Sequence, residues 1–211
     1  MPPPSHDPRR SSRTRASLDE LLVERNEHPE RLAEIDRRIW EDFGETRAVW
    51  VLDMCGFSRL TRRYGITHFL AMIHRLQALV RPIVVDEGGT VVKTEADNVF
   101  AVFDDVAPAV TTARRLLATL ARANAYLPED WDLHVSIGIG YGEILMIGDH
   151  DFYGNELNIA SKLGEDVAGP EEVYLTETAH ARLRATDAVV ATERREIPIS
   201  NMILAAHLLR L

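Results

Sequence analysis

Apolar side chains along this chain follow two spacings, which predict a mixture of strands and helices. Short apolar or alternating runs predict strands, and apolar positions three or four residues apart predict amphipathic helices. Strands are predicted at 47–52, 90–94, 98–103, 133–141, 173–176 and 188–211, and helices at 58–65, 66–85, 106–125, 155–167 and 177–184. The order βααββαβ is typical of α+β folds whose helices cover one face of a sheet.

A different pattern precedes the first strand. Residues 17–45 show helical apolar spacing interrupted by Pro29, which predicts two short helices, the first opening with Ser17 and Glu20 as a capping box. These helices are expected to pack on the main domain or, alternatively, to serve signal coupling or dimerisation through their amphipathic faces. Residues 1–16 are rich in Pro, Ser and Arg and lack an apolar stretch, which predicts a disordered tail. The main domain is therefore predicted at 46–211.

Composition narrows the classes of protein that fit. A length of 211 residues suits one domain with appendages, and a formal net charge of −9 argues against a nucleic-acid partner, since such proteins usually present a basic face. No apolar run approaches the roughly 20 residues of a membrane helix, so no membrane partner is expected. The single cysteine, Cys55, fits a reducing cytosol and predicts a cytoplasmic protein.

Two aspartates carry the chemistry that the pattern suggests, because each lies at the edge of an apolar run. Asp53 ends the first predicted strand, and Asp97 lies in the turn between the second and third. An ionised carboxylate at the end of a buried strand must be paired or bound to metal. Gly56 allows an unusual backbone path, so the amides of Cys55, Gly56 and Phe57 could face a triphosphate. The alternative is that Asp53 caps the following helix.

Three segments occur in a fixed order: VLDMCGFSRL, KTEADNVFAVF and DFYGNELNIASK. Together they resemble the catalytic domain of class III adenylyl and guanylyl cyclases, over residues 49–183. The resemblance implies a ferredoxin-like core and a metal site formed by Asp53 and Asp97, with Met54 as an additional metal-site residue. Two ions per site are implied, and oxygen ligands beside a triphosphate favour Mg²⁺ or Mn²⁺.

The resemblance also implies which two residues determine whether the site binds adenine or guanine. Lys93 and Asp151 occupy the places that select adenine, since a lysine can donate to adenine N1 and an aspartate can accept from its exocyclic amine. Guanine presents the opposite polarity and would leave these groups unpaired, so ATP is the predicted substrate. The alternatives are an exposed strand lysine and an ordinary turn aspartate.

The third segment implies the catalytic residues Asn158, which orients the ribose, and Lys162, which stands where the family has a transition-state arginine. Lysine keeps the charge and loses the bidentate fork, so slow turnover is predicted. A solvated helix lysine near Glu165 and Asp166 is the alternative. Ala96 also departs from the family, which has glycine there; a positive φ would strain alanine by about 1 kcal/mol.

The family often has a triphosphate-binding lysine in its last strands. That lysine is missing at Ser200–Asn201, and Arg194 or Arg195 is a candidate substitute.

The resemblance predicts an adenylate cyclase that forms cyclic AMP and pyrophosphate at the interface of a homodimer, in intracellular signal transduction. A regulatory partner could act through the N-terminal helices. The competing hypothesis is a weakly active or inactive nucleotide-binding module, which Lys162 favours. A guanylyl cyclase or dinucleotide synthase is a third hypothesis, and Lys93 with Asp151 argues against it.

Overall fold

The order of the secondary-structure elements matches the order predicted from the sequence. A computed structural model describes residues 13–186, 190–199 and 202–210. The elements are α1 (Arg15–Glu27), α2 (Leu32–Phe43), β1 (Gly44–Met54), α3 (Phe57–Tyr64), α4 (Ile66–Asp86), β2 (Thr90–Glu95), β3 (Asn98–Phe103), α5 (Val106–Asn124), β4 (Val135–Ile147), β5 (Asp151–Tyr153), α6 (Asn155–Lys162), β6 (Val173–Thr176), α7 (Glu177–Arg184), β7 (Thr192–Ile199) and β8 (Met202–Leu209). The run from β1 to β4 confirms the α+β class and the βααββαβ pattern.

One sheet organises the described part of the chain. Its seven-strand path runs β2-β3-β1-β4-β6-β8-β7, and β5 pairs with the far end of β4. The β4–β6 pair is parallel, and the other pairs are antiparallel. Strand β1 lies inside the sheet with both faces covered, which explains why its sequence reads as an apolar run, whereas β4 alternates apolar residues with Ser136 and glycines.

The two faces of the sheet have separate hydrophobic clusters. In β1, Trp50 and Leu52 point to the face covered by α4 and α5, whereas Val49 and Val51 point to the opposite face. This is the alternation that a pleated strand requires. All four side chains are fully buried, so β1 is packed on both faces of the sheet, and Asp53 lies near its C-terminal end.

Helix α6 lies very close to β4, and the glycines of β4 permit this approach. A Cβ atom on Gly138 would lie 1.9 Å from the carbonyl oxygen of Ala160, and one on Gly140 would lie 2.9 Å from that of Glu156. Neither distance is compatible with a real side chain. Because the alternating glycines of β4 have no side chains, α6 packs directly against the backbone of the sheet.

The N-terminal helices pack on the end of β4, as expected for the first of their two predicted roles. Their contact is a small apolar cluster separate from the main core, made by Leu18, Leu21, Ile35, Ile39, Phe43, Leu145 and Ile147. A 3₁₀ turn at Pro29–Arg31 separates the two helices, which confirms the predicted interruption. Within the described ranges, no helix combines the length and the apolarity that crossing a bilayer would need.

The start of α1 differs from the prediction. Thr14 is the N-cap, and its hydroxyl accepts from the amide of Ser17 (3.1 Å) while its own amide donates to the Ser17 hydroxyl (3.1 Å). The predicted cap at Ser17 is therefore wrong, because Ser17 fills the third helical position of a box that begins one turn earlier. Arg15 and Ala16 belong to the helix rather than to the predicted tail, of which 1–12 lie outside the described residues.

Three smaller features of the secondary structure also differ from the prediction. Strand β1 begins at Gly44, directly after α2, two residues before the predicted domain start. Strand β5 was not predicted, since three residues are too few for periodicity to register. The predicted helix over 155–167 divides into α6 and a π-helical turn at Leu163–Val167. The last two changes both fall beside residues of the candidate site.

Candidate active site

Asp53 and Asp97 meet at one end of the sheet because β1 and β3 are adjacent. The register pairs Leu52 with Val99, so the residue after Leu52 lies beside the turn that precedes β3. Asp97 occupies that turn, between β2 and β3. Both aspartates are half-buried. The structure thus brings together the two carboxylates that the sequence singled out, and their predicted role as metal ligands stays a prediction.

The electrostatic environment of this pair is repulsive. The pKa of Asp53 is raised to about 7, mainly by burial and then by the negative charges of Asp97, Glu165 and Asp166, while a hydrogen bond from the Met54 amide partly offsets these effects. Burial also raises the pKa of Asp97. Within the described residues neither carboxylate has a cationic partner within 4 Å. A bound cation would relieve both the repulsion and the cost of burial.

The π-helical turn after α6 adds negative charge to the same place. Burial raises the pKa of Glu165, as do the charges of Asp166 and Asp97, and Lys162 acts in the opposite direction. The sequence placed Glu165 and Asp166 only as neighbours of Lys162 on the helix. Their approach to Asp53 and Asp97 arises from the packing of α6 on β4, which periodicity does not reveal.

The donor set fits a hard divalent cation that shares its coordination with a substrate. Across the ranges that the structure describes, no three His, Cys, Asp or Glu side chains are grouped to hold a metal by themselves. Mg²⁺ is commonly bound by one or two carboxylates together with water and substrate phosphates, which Asp53 and Asp97 could provide. The Met54 side chain is buried in the core, so only its main chain is available to the predicted site.

The turn between β1 and α3 has the backbone conformation that its glycine predicts. Gly56 is the N-cap of α3 with φ of 97°, and no side chain caps the helix, so the alternative that Asp53 is a capping residue is wrong. The Cys55 amide donates to the carbonyl of His134 (2.8 Å), so this amide already has a hydrogen-bond acceptor within the fold. The first amides of α3, at Gly56 and Phe57, remain the predicted phosphate donors. Burial raises the pKa of the Cys55 thiol, which favours its protonated form.

Ala96, which stands where the family has glycine, adopts the positive φ that only glycine adopts without strain. Its φ is 50°, in the left-handed region, within the turn that carries Asp97. A non-glycine residue pays about 1 kcal/mol or more for this conformation. The strain is thus located next to a predicted metal ligand.

Lys93 and Asp151 form an ion pair, with 3.0 Å between Lys93 Nζ and Asp151 Oδ1. Lys93 is also 2.9 Å from Glu95. Asp151 accepts from its neighbour's amide, Phe152 N (2.9 Å, to Oδ1), and from the Tyr153 hydroxyl (2.7 Å, to Oδ2). Lys93 is partly buried and Asp151 begins strand β5, so the alternatives of an exposed strand lysine and a turn aspartate are wrong, and the role of the pair in base selection stays a prediction.

The electrostatic environment of this pair is the opposite of that around Asp53 and Asp97. Burial alone would raise the pKa of Asp151, but the hydrogen bonds from Tyr153, Lys93 and Phe152 N outweigh it and lower that pKa. Burial alone would lower the pKa of Lys93, but Glu95 and Asp151 raise it. Both groups are held in their charged forms, as recognition of an adenine edge by a donor and an acceptor requires.

Helix α6 presents Asn158 and Lys162 one turn apart. Asn158 is exposed and Lys162 is partly buried in the last turn. The helix is fixed to the sheet by Glu156, whose carboxylate accepts from the Tyr141 amide (3.2 Å) and from two threonine hydroxyls, those of Thr176 (2.9 Å) and Thr178 (2.8 Å). The catalytic roles of Asn158 and Lys162 stay predictions, placed on a rigid support.

Sequence reasoning missed two residues beside the pair of Lys93 and Asp151, namely Tyr153 and Arg15. Tyr153 donates to Asp151, and Arg15 of α1 donates to the Tyr153 hydroxyl (2.8 Å). The polar–apolar–polar order of Asp151, Phe152 and Tyr153 is a strand signal that could have placed Asp151 and Tyr153 on one face.

The candidate substitutes for the missing lysine are both engaged on the surface. Arg194 pairs with Glu177 and with Glu196 (3.0 Å each). Arg195 pairs with Glu193 (3.2 Å) and donates to the Tyr174 hydroxyl (2.7 Å). Nothing in these contacts singles out either arginine for a triphosphate.

Comparison with known proteins agrees with this arrangement. Residues 44–207 match the family described as the adenylate and guanylate cyclase catalytic domain. The chain is 31% identical over 157 residues to an adenylate cyclase of Streptomyces coelicolor, covering 73% of this chain and 36% of the relative. It is 27% identical over 131 residues to an adenylate cyclase of Streptomyces griseus, covering 62% of this chain and 30% of the relative.

Among solved structures, the fold resembles an adenylate/guanylate cyclase/hydrolase from Silicibacter pomeroyi, with a TM-score of 0.65 and 22% identity, covering 79% of this chain and 95% of the other. The chain spans only 22% to 36% of the length of the curated relatives it matches. The conserved similarity therefore concerns the catalytic domain, and the N-terminal helices lie outside the family match.

Proposed function

Because the chain belongs to the family of adenylate and guanylate cyclase catalytic domains, we propose that it converts ATP to 3′,5′-cyclic AMP and pyrophosphate. The ion pair of Lys93 with Asp151 carries this proposal. A lysine donor and an aspartate acceptor, both held in their charged forms, complement N1 and the exocyclic amine of adenine. Guanine would present a donor to the lysine and an acceptor to the aspartate. Both side chains would then lose their hydrogen-bond partners, and the binding free energy would be much less favourable.

Asp53 and Asp97 would hold two divalent ions, Mg²⁺ or Mn²⁺, at the other end of the site. Their mutual repulsion and partial burial support this assignment. When bound, such ions would lower the pKa of the ribose 3′-hydroxyl and offset the charge of the phosphates. The ligands missing from the protein would come from water and from the triphosphate.

The other residues would orient the substrate and stabilise charge. Asn158 would hold the ribose so that its 3′-oxygen faces the α-phosphorus, and pyrophosphate would leave from the opposite side. Lys162 would offer a positive charge to the α-phosphate, with one point of contact where an arginine would give two. The Gly56 and Phe57 amides would contact the triphosphate.

We further propose that the active form is a homodimer in the cytoplasm, where the product serves intracellular signalling. In this arrangement one copy supplies Asp53 and Asp97, and its partner supplies the base-selecting and ribose-binding groups. The exposure of Asn158 supports it, because that side chain is free to reach a substrate bound to another copy. The N-terminal helices are the proposed contact for a regulatory partner.

A second candidate function is a nucleotide-binding regulatory module with little or no turnover. Lys162 favours it, since its charge acts on Glu165 of the same chain and it lacks the arginine fork.

The decisive experiment measures product formation from ATP and from GTP. We expect purified protein with Mn²⁺ to form cyclic AMP from ATP, and to form cyclic GMP from GTP at least about tenfold more slowly, because the base-selecting pair rejects guanine. Asp97→Asn, which keeps the shape and loses the charge, should abolish the reaction. Metal-dependent ATP binding without product would favour the binding module, and faster product from GTP would refute the assignment of ATP.

The dimer proposal has its own test by complementation. Asp97→Asn and Asn158→Ala each disable one contribution to the site, so each variant alone should be inactive. Equal mixing should restore about a quarter of the wild-type rate, since half of the dimers would be mixed and each would have one intact site. Failure of the mixture, with subunit exchange demonstrated, would contradict a site shared between copies.

A further inference from the structure

A continuous path of polar contacts connects the N-terminal helix to the residue that would select the base. Arg15 Nη1 in α1 donates to the Tyr153 hydroxyl (2.8 Å), and that hydroxyl donates to Asp151 Oδ2 (2.7 Å). Arg15 Nη1 is itself 4.0 Å from the same carboxylate oxygen. The other oxygen of Asp151 belongs to Lys93. One carboxylate is therefore shared between the base-selecting lysine and a path that begins in α1.

The strand that carries Asp151 explains why its side chain responds to Tyr153. Phe152 is fully buried and anchors β5, while its two neighbours project on the other side. Three donors then fix the Asp151 carboxylate, with Lys93 and the Phe152 amide on Oδ1 and the Tyr153 hydroxyl on Oδ2. The hydroxyl is the contact that sets the direction of Oδ2, and thus of the lone pair left for an exocyclic amine.

Arg15 is placed to act on this hydroxyl without holding the fold together. Asp19, one turn along α1, fixes its guanidinium (3.0 Å), and both side chains are more than half exposed. The docking of α1 rests instead on the buried Leu18 and Leu21 and on the ion pair of Arg13 with Glu45. Loss of the Arg15 contact should therefore change the orientation of Tyr153 and leave the helix in place.

We propose that Arg15 is a positioning residue for adenine recognition, acting through Tyr153 on Asp151, so that the docking of α1 sets the affinity for the adenine base. The inference rests on the proposed function, because it assumes that Asp151 contacts the base. Arg15 lies outside residues 44–207, which match the cyclase family, so this contact is a feature of the extension. Because coupling between two sites is reciprocal, the base must also affect α1.

The test measures binding separately from turnover. Isothermal titration with Mn²⁺ uses 3′-deoxy-ATP and 3′-deoxy-GTP, which lack the attacking hydroxyl and cannot be cyclised. We expect Arg15→Ala to weaken 3′-deoxy-ATP binding about two- to fivefold, the range for an exposed charged contact, and to leave 3′-deoxy-GTP binding unchanged. Arg25→Ala is the matched control, since Arg25 is in the same helix and pairs with Asp36 rather than with Tyr153.

Two further variants separate a positioning role from a structural one. Tyr153→Phe keeps the ring and should reproduce the loss, and the double variant Arg15→Ala with Tyr153→Phe should be no worse than Tyr153→Phe alone. Arg15→Lys should restore most of the affinity. Amide hydrogen exchange should slow in 15–27 when 3′-deoxy-ATP binds to the wild type, and this slowing should be lost in Tyr153→Phe.

The outcomes distinguish this inference from the proposed function. Equal weakening of both nucleotides, an effect matched by Arg25→Ala, or additive losses in the double variant would each overturn the role of Arg15. Selective 3′-deoxy-ATP binding without cyclic AMP formation from ATP would overturn the enzyme and leave the inference standing. A wild type that binds neither nucleotide would overturn both.

Discussion

The predicted metal end of the candidate site (Asp53 and Asp97) and its predicted base-selecting end (Lys93 and Asp151) hold their carboxylates in opposite ways. At the metal end, Asp53 and Asp97 are half-buried beside further negative charge, and burial raises both pKa values. At the other end, Asp151 is held by three hydrogen-bond donors that lower its pKa against the effect of burial. One end is electrostatically unsatisfied in the isolated chain, and the other is complete.

This difference indicates what each end still needs. A repulsive pair gains from a cation, so the metal end should be stabilised by its ligand and destabilised without it. A satisfied pair gains nothing from a further charge and instead offers a fixed donor and acceptor to a neutral base. Substitutions at the two ends should therefore change stability in opposite directions, although both impair the reaction.

The largest expected effect is that of Asp53→Asn. We expect the rate of cyclic AMP formation to fall by about 10³-fold or more, because the predicted metal site loses half of its charge. In EDTA the variant should melt about 2–4 °C higher than the wild type. The sign follows from the raised pKa of Asp53, which means that its ionised form is less stable in the folded chain than in the unfolded one.

Thermal melts with and without Mn²⁺ check this prediction. Mn²⁺ should raise the melting temperature of the wild type and have a smaller effect on Asp53→Asn. Asp42→Asn, on the exposed face of α2, is the matched control and should leave both the rate and the melting temperature unchanged. A variant that melts below the wild type in EDTA would refute the electrostatic account of the metal end.

A smaller effect with the opposite sign on stability is expected for Asp151→Asn. Asparagine keeps one acceptor oxygen but replaces the other with an NH₂ donor and loses the charge, so the ion pair with Lys93 is lost, one of the donors to Asp151 loses its acceptor, and the variant should melt below the wild type. The kcat/KM for ATP should fall about 10- to 100-fold, and the kcat/KM for GTP should not, because only adenine uses this acceptor.

The stability difference at Asp151 should also depend on pH. The folded-state pKa of Asp151 is lowered, so its contribution is present above the unfolded pKa of about 4 and is lost as the pH falls through the folded value. Melting curves of the wild type and Asp151→Asn should therefore converge below about pH 4. A constant difference across this range would show that packing, rather than charge, sets the stability of this end.

Much of this arrangement was predictable because it depends on strand ends. Apolar periodicity predicts β1 and the β2–β3 hairpin, and antiparallel pairing then places Asp53 and Asp97 together. Lys93 and Asp151 were paired from a family resemblance, and the structure shows that they touch. The strain at Ala96 was likewise anticipated from a single departure from glycine.

The rest depends on contacts between distant segments, which no local pattern encodes. Arg15 was assigned to a disordered tail because the capping box was placed three residues late, so its contact with Tyr153 could not be predicted. Glu165 was assigned to the surface of a regular helix, whereas a π-helical turn brings its charge towards Asp97. Both outcomes depend on how a helix packs against the sheet.

The smallest expected effect is at Lys162, at the C-terminal end of α6. Lysine supplies charge without a bidentate fork, so Lys162→Arg should raise kcat about tenfold and leave KM for ATP nearly unchanged, if the residue contacts only the transition state. Single-turnover measurements with Mn²⁺ and ATP would separate this chemical step from product release.

Lys162→Met is the matched control, because it keeps the length of the side chain and removes the charge. It should lower kcat by about 10- to 100-fold if the lysine stabilises the reacting phosphate. If both variants match the wild type, Lys162 serves only to offset Glu165, whose pKa it lowers. In that case the charge of Lys162 partly offsets the negative charge at the predicted metal end, and the transition state must obtain its positive charge from another residue.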